Sequence, residues 1–438
     1  MYATIFMPRL TQHFAARCFT RACHLALAAL LLQQMSCCAW AQPSKGSSVP
    51  YASIKADGEG YAGPGRESSN DLFGATLRIG ILIPMHGPEK ADGNAILLAA
   101  QMALHDASRY PMPQGRRLAL AIGDESGPSW DQVSDKVMHL ILNQNVVALI
   151  TSTNGTSTHI SEQVGNRIGV PVLTLSSDPT TTQIDIPWIF RMGPSDVQEA
   201  QALEKTMYRI RNLQRVLLIT EQNNYDGNSA KVAVRQVAHS MNVPSPDELI
   251  FNPSQPEFSA INAYLQTHTP QAVMVWTRAE SVAIVLRALR AKNLSVPIYL
   301  SQQASQAEFG TDCRILQPAL ATRCTALDIS TVAADGKSST KQKNFAQRYL
   351  HATGKPPSPT AAAAYDAVRL TVRALRDAGP NRARLRDQLA TVKDFSGVSG
   401  IISFDREGND VTRIHLVRLM DQKNLQLGKL TAPGATQP

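Results

Sequence analysis

From Leu77 onward, apolar and polar positions alternate in blocks. RIGILIP (Arg78–Pro84) is a short, almost unbroken apolar run, as in a parallel strand covered on both faces. Gly93–Tyr110 has helical periodicity and leads into a strand, LALAIGD. A helix at Gln132–Gln144, the strand VVALIT, a helix at 158–168, the strand PVLTL and an edge-like IPWIFRMGPS follow. The pattern then restarts: helix 197–211, strand RVLLITEQ, helix Gly227–Met241, strand DELIFN, helix 258–267, strand AVMVWT, helix 279–292 and strand PIYLS. Such alternation predicts doubly wound parallel sheets with right-handed crossovers, and the restart predicts two α/β units in tandem. Past residue 340 the spacing predicts helices at Lys341–Thr353, Pro359–Ala378 and 382–392. A C-terminal hairpin, GIISFDREGNDVTRIHLVRLM, should turn at Gly408-Asn409.

The segment GVPVLTLSSDP (Gly169–Pro179) says most about chemistry. It follows VVALIT and the loop STNGTST, so two consecutive predicted strands both end in loops rich in Ser, Thr and Gly. In open α/β sheets ligands bind beyond the carboxyl ends of strands, and two such loops describe one wall of a binding site.

The first 41 residues differ from the rest. They contain no Asp or Glu, three Arg (Arg9, Arg17, Arg21), the apolar run Leu25–Leu32 and a small-residue site at Ala39-Trp40-Ala41. This reads as a secretory signal peptide with a long basic leader, with Met7 as an alternative start. The apolar run is far short of the ~20 residues a spanning helix needs. Ser36-Cys37 matches the end of a lipobox but Gln34 does not, so a lipid anchor at Cys37 stays an alternative to cleavage after Ala41. Residues 42–76, rich in Gly, Ser, Pro and Ala, read as a flexible spacer. The formal charge of +8 falls to +5 without the leader, and this mild, dispersed excess argues against nucleic-acid binding.

Four of six Cys lie in the leader, leaving Cys313 and Cys324. In an oxidising compartment these point to one disulfide closing a short loop, with two separate buried thiols as the alternative. Catalytic constellations are missing: there is no HExxH, GxSxG, Cys-x-x-Cys or EF-hand spacing. Gly336-Lys337-Ser338 imitates the end of a phosphate loop, but the first glycine would fall at Thr331. His86, at a strand end, is a candidate to line a cleft. The sequence asks for no enzyme activity, cofactor or metal.

The order of motifs carries a resemblance. RIGILIPMHGP, Asp124-Glu125, GVPVLTLSSDP, IFRMGPSD, LITEQNNYDG, PEFSAINAYL, AAYDAVRLTVRAL and GVSGIISFDREG occur in sequence from about Leu77 to Leu427. This resembles the type I periplasmic substrate-binding proteins of the branched-chain amino-acid (Leu/Ile/Val) binding family. The resemblance implies an α/β fold of two doubly wound Rossmann-like lobes joined by a multi-strand hinge, with the ligand cleft between them. Residues 77–196 plus about 335–395 would form lobe 1, about 197–334 plus 396–430 lobe 2, and 431–438 a tail.

It also places roles. Thr153, Asn154, Gly155 and Thr156, with Ser176, Ser177 and Asp178, look like first-lobe ligand contacts. Tyr225 matches a second-lobe cleft tyrosine, and Thr277, Glu280 and Gln302 lie in segments ending second-lobe strands. Asp178 could equally only cap Thr180–Thr182. The departures bear on specificity: Asp92 stands where amino-acid binders carry an aromatic, Asp178 in place of a threonine, and Gln255 in place of an ammonium-binding glutamate. Losing that glutamate argues against a standard zwitterionic branched-chain amino acid; the two carboxylates could instead receive a cationic or hydroxyl-rich ligand, and the ligand stays open. The implied function is an extracytoplasmic, periplasmic solute-binding component of an ABC importer, taking a small polar solute such as an amino acid or amide and meeting an inner-membrane permease. The alternative keeps the fold for a sensor or envelope regulator that binds a protein partner.

Overall fold

The computed structural model describes residues 72–429, apart from residues 128, 184–186, 223, 255–258, 293, 295, 307–328, 335–338, 412–413 and 419–427. The expected disulfide of Cys313 and Cys324, Gln255 and the Gly336–Ser338 loop lie outside the described residues, as does everything before Leu72.

The first sheet comprises β1 (Thr76–Ile83), β2 (Arg117–Asp124), β3 (Ala148–Thr151), β4 (Val172–Thr174) and β5 (Ile189–Arg191), all parallel, in the order β2-β1-β3-β4-β5. Its helices are α1 (Lys90–Ser108), α2 (Trp130–Met138) and α3 (Gly155–Ile168). The strands are short and apolar because both faces are covered. Ile79, Ile81 and Ile83 point to the core beneath α1, while Leu82, Leu149 and Val172 meet Val133, Val137 and Ile160 of α2 and α3. Each such fully buried aliphatic side chain stabilises the fold by roughly 1.5–3 kcal/mol.

The second sheet repeats the plan. After α4 (Asp196–Glu204), β6 (Val216–Glu221), α5 (Tyr225–Met241), β7 (Asp247–Phe251), α6 (Ser259–Thr267), β8 (Ala272–Trp276), α7 (Ala279–Ala291), β9 (Ile298–Leu300) and β10 (Ile329–Ala334) follow. The strand order from one edge is β7-β6-β8-β9-β10, all parallel, continued by antiparallel β13 (Ile414–Arg418) and β14 (Gly428–Lys429). Along β6, Leu217 and Ile219 face one core and Val216 and Leu218 the other. The five parallel strands of each sheet thus share one order, which reverses at β1/β3 and at β6/β8. Ligand crevices of open sheets form at such reversal points.

The helices α8 (Thr340–Thr353), α9 (Pro359–Ala378) and α10 (Arg382–Ala390) return to the first core. The Ala-rich start of α9 lets it pack closely on α1. The chain passes between the two sheets three times: between β5 and α4, between β10 and α8, and between Asp410 and β13.

Three expectations are corrected here. The C-terminal hairpin does not form as one ladder. Phe395–Ser396 (β11) pairs with Ile401–Ile402 (β12), and Phe404 bridges Asp410 across a turn where Gly408 has φ 82°, but β13 pairs with β10. Ile402 and Phe404 are buried in the first core and Leu416 in the second, so the two arms belong to different lobes. For the same reason residues 396–410 stay with the first lobe, and the chain crosses back after Asp410. The helix expected from residue 158 begins at Gly155, because the Asn154 side chain accepts the Ser157 N–H at 3.0 Å and caps it there.

Gly93 lies in the first turn of α1, where a Cβ would overlap the Pro84 carbonyl oxygen. Gly93→Ala should therefore push α1 off the loop after β1 and cost about 1–3 kcal/mol in urea unfolding. A loss below about 0.5 kcal/mol, the range of an ordinary surface change, would refute the close approach.

Candidate functional site

The reversal points of the two sheets face each other across a cavity of about 380 Å³, part of it open to solvent. From the first lobe, Thr153 after β3, Leu175 and Ser177 after β4, and Thr360 in the first turn of α9 line it. From the second come Glu199 of α4, Asp226 of α5, Trp276 closing β8, and Ser301, Gln302, Gln303 and Gln306 after β9. Every one of these lies at or near the end of a strand or the start of a helix.

Direct bridges join the lobes around the cavity. The Tyr225 hydroxyl donates to Asp178 Oδ2 at 2.8 Å. The Gln306 side-chain amide donates to Thr360 at 3.1 Å. Arg278, ion-paired with Glu221, also lies 3.9 Å from Glu89 across the cleft. The Tyr225 ring rests on Gly155, where a Cβ would run into its Cε1.

Asp178 is the busiest of these groups. Its Oδ1 accepts the Thr180 N–H at 2.8 Å and the Thr180 hydroxyl at 2.7 Å, while Oδ2 takes Tyr225 and the His159 ring. It therefore both caps the following turn and bridges the lobes. Burial works against its charge, but the bonds from His159, Thr180 and Tyr225 hold it well below the usual carboxylate range. Hydrogen bonds to Asp178 and Glu162 lift His159 to about 9, so both its ring nitrogens donate near neutral pH.

The remaining carboxyls move the other way. Burial, with Asp196 adding, pushes Glu199 up to about 8, and burial raises Asp196 to about 6. Burial, then repulsion by Asp196, Glu89 and Asp178, raises Asp226 well above its ordinary value. Glu125, buried and bonded by the Ser152 hydroxyl, rises to about 8. Behind the loop after β4, Arg191 is 1% exposed and donates to the carbonyls of Ser176 at 3.0 Å and Asp178 at 2.6 Å. Among the described residues, no group of His, Cys, Asp and Glu forms a metal site.

Residues 76–424 match the family model described as periplasmic binding protein. The chain belongs to this family. Solved structures share the fold: the branched-chain amino-acid transporter substrate-binding protein LivJ from Streptococcus pneumoniae, bound to isoleucine, is 21% identical. The match covers 79% of this chain and 96% of that one, with TM-score 0.66. The leucine-binding protein LivK from Thermotoga maritima is 18% identical over 79% and 96%, with TM-score 0.68. An ABC-transporter solute-binding protein from R. palustris, bound to benzoate, is 17% identical over 78% and 93%, with TM-score 0.65. No curated protein sequence matches this chain. Among the described residues of this periplasmic binding protein, no helix is long and apolar enough to cross a membrane.

Of the residues singled out from sequence, Thr153, Ser177 and Gln302 line the cavity. Asp178, Gly155 and Tyr225 form the bridge beside it, with Tyr225 still 42% exposed. Asn154 is spent on capping α3, and Ser176 is buried, its hydroxyl accepting the Asp178 N–H at 3.3 Å. Thr156 is exposed, and Thr277 is buried with its hydroxyl on the Arg278 carbonyl. Asp92 and Glu280 lie near Glu89 and are not among the residues that line the cavity. Burial, then repulsion by Glu280 and Glu89, raises Asp92 to about 6. His86 is placed elsewhere: its side chain is 76% exposed and pairs with Asp124 at 2.9 Å. Sequence reasoning missed Glu199, Asp226, Thr360, His159 and Arg191. Asp226 directly follows Tyr225 in NNYDG and was within reach, whereas Glu199 reads as one more polar helix position.

The pH behaviour of the bridge is set by these shifts. His159, raised to about 9, contributes stability that is whole below its unfolded value of about 6.5 and is lost as pH rises through 9. Asp178, depressed, contributes above its unfolded value of about 4 and loses this only in strong acid. The melting-temperature advantage of the wild type over His159→Gln should thus be greatest near pH 5–6 and shrink toward pH 10. An advantage unchanged across that range would rule out the charged imidazole.

Proposed function

We propose that this protein is an extracytoplasmic solute-binding component of an ABC importer, holding a small polar solute between its lobes and presenting the closed form to a membrane permease. The observation that carries this reading is the cavity itself: two sheet reversal points face each other, and both lobes contribute polar residues to one cavity. Family membership supports it, as do the ligand-bound relatives of the same fold. Binding and closure form the mechanism, with no bond made or broken in the solute. An open form samples closure, the solute contacts both walls, and those extra contacts select the closed state. The bridges Tyr225–Asp178, Gln306–Thr360 and Arg278–Glu89 then set how much closure costs without a solute. A secretory leader over residues 1–41 would deliver the protein to the periplasm.

Thermal unfolding against amino acids, amides, amines, aromatic carboxylates and sugars tests the reading. A solute at a hundred times its dissociation constant should stabilise the protein by about 2.7 kcal/mol. Thr153→Ala and Gln302→Ala should weaken that solute about tenfold while leaving the unliganded melt nearly unchanged. If no class of solute shifts the melt, solute capture fails and the protein-binding regulator takes its place.

A further inference from the structure

If the cleft captures a solute, as proposed above, its walls also bear on the class of solute. Among the described residues they carry two carboxyls and no cationic side chain. Glu199 is 3% exposed, and its Oε2 accepts the Gln302 N–H at 2.9 Å. Asp226 Oδ1 is buried and accepts no hydrogen bond from any described residue. Around them stand Gln302, Gln303 and Gln306, with Trp276 closing β8 at the wall and packed into the second lobe's core. The nearby cations are engaged elsewhere. His159 is held between Asp178 and Glu162, Arg191 by backbone carbonyls, and Arg278 by Glu221.

A carboxylate-bearing solute would need a place for its anion, and the N-terminus of α3 is where helix geometry favours one. Here the protein's own groups cover that terminus. The Tyr225 ring lies on Gly155, Asn154 takes the Ser157 N–H, and the Gly155 N–H acts on the Asp226 carboxyl. An anion entering the cavity would meet two carboxyls in place of a counter-charge.

We infer that the cleft takes a small organic cation without a carboxylate, an amine, amidine or guanidinium compound, held between Glu199 and Asp226. Buried carboxyls without a partner are costly as anions, and an arriving ammonium or guanidinium supplies the missing counter-charge together with several N–H donors. The elevated values of Glu199 and Asp226 agree with a site completed by a cation.

Titration calorimetry on the full chain tests this, with putrescine, agmatine and choline as cationic probes and leucine, benzoate and acetamide as the others. At least one cation should bind tenfold or more tightly than every carboxylate and neutral probe. Glu199→Gln and the isosteric Asp226→Asn should each weaken it at least tenfold, with an unliganded melt confirming the fold; if one variant fails to fold, the other decides. Leucine, benzoate or acetamide bound in preference to the cations overturns the class and leaves solute capture standing. Cation binding untouched by either substitution overturns the assigned site. Silence across all six probes overturns the inference, while the broader solute panel decides capture itself.

Discussion

The buried guanidinium of Arg191 holds the cleft together. It leaves β5 at the edge of the first sheet and reaches the carbonyls of Ser176 and Asp178, the Thr182 hydroxyl at 2.5 Å, and Asn409 at 3.4 Å. Those contacts fix the loop after β4, the turn beyond it and the segment leading into the third crossing. A buried charge is costly unless every donor is used, and the planar fork of arginine allows one side chain to satisfy several acceptors in fixed directions. Burial lowers it to about 10, and Asp196, Asp178 and Asp405 oppose that fall, so it stays charged. Asp178 can therefore present one oxygen to the second lobe while the other caps its own loop.

Around this anchor the cleft divides its carboxyls by environment. Asp178 is ionised because donors surround it. Glu199, Asp226 and Asp196 are raised because burial removes the water that would support their charge, and neighbouring carboxylates repel. Among the described residues three cations stand near the cavity, and each is committed to a structural bond. The result is a polar cavity whose carboxyls are Glu199 and Asp226, in a fold whose solved relatives include proteins bound to isoleucine and benzoate. Fold and ligand class are thus separable: the backbone plan sets where a ligand sits, and a few side chains at strand ends set its charge.

The alternation of short apolar runs with helical stretches was enough to predict both sheets, since parallel strands buried on two faces leave an unmistakable block pattern. The restart after Ser195 marked the second unit, and the motif order carried the family. The hydroxyl-rich loops after β3 and β4 were legible as one wall of the site because turn and cap residues cluster there by local chemistry. What local pattern could not decide was partnership. Ile402 and Leu416 sit on the two arms of an apparent hairpin, yet each is buried in a different lobe, and only packing tells them apart. Glu199 looks like any solvated helix residue until α4 turns its first two turns toward the cavity, and Asp226 is ordinary until Gly155 comes against it. The sequence by itself determined most elements, their order and the loops that line the cavity. The tertiary structure alone decided which charges meet, because that depends on residues far apart in the chain reaching one enclosed space.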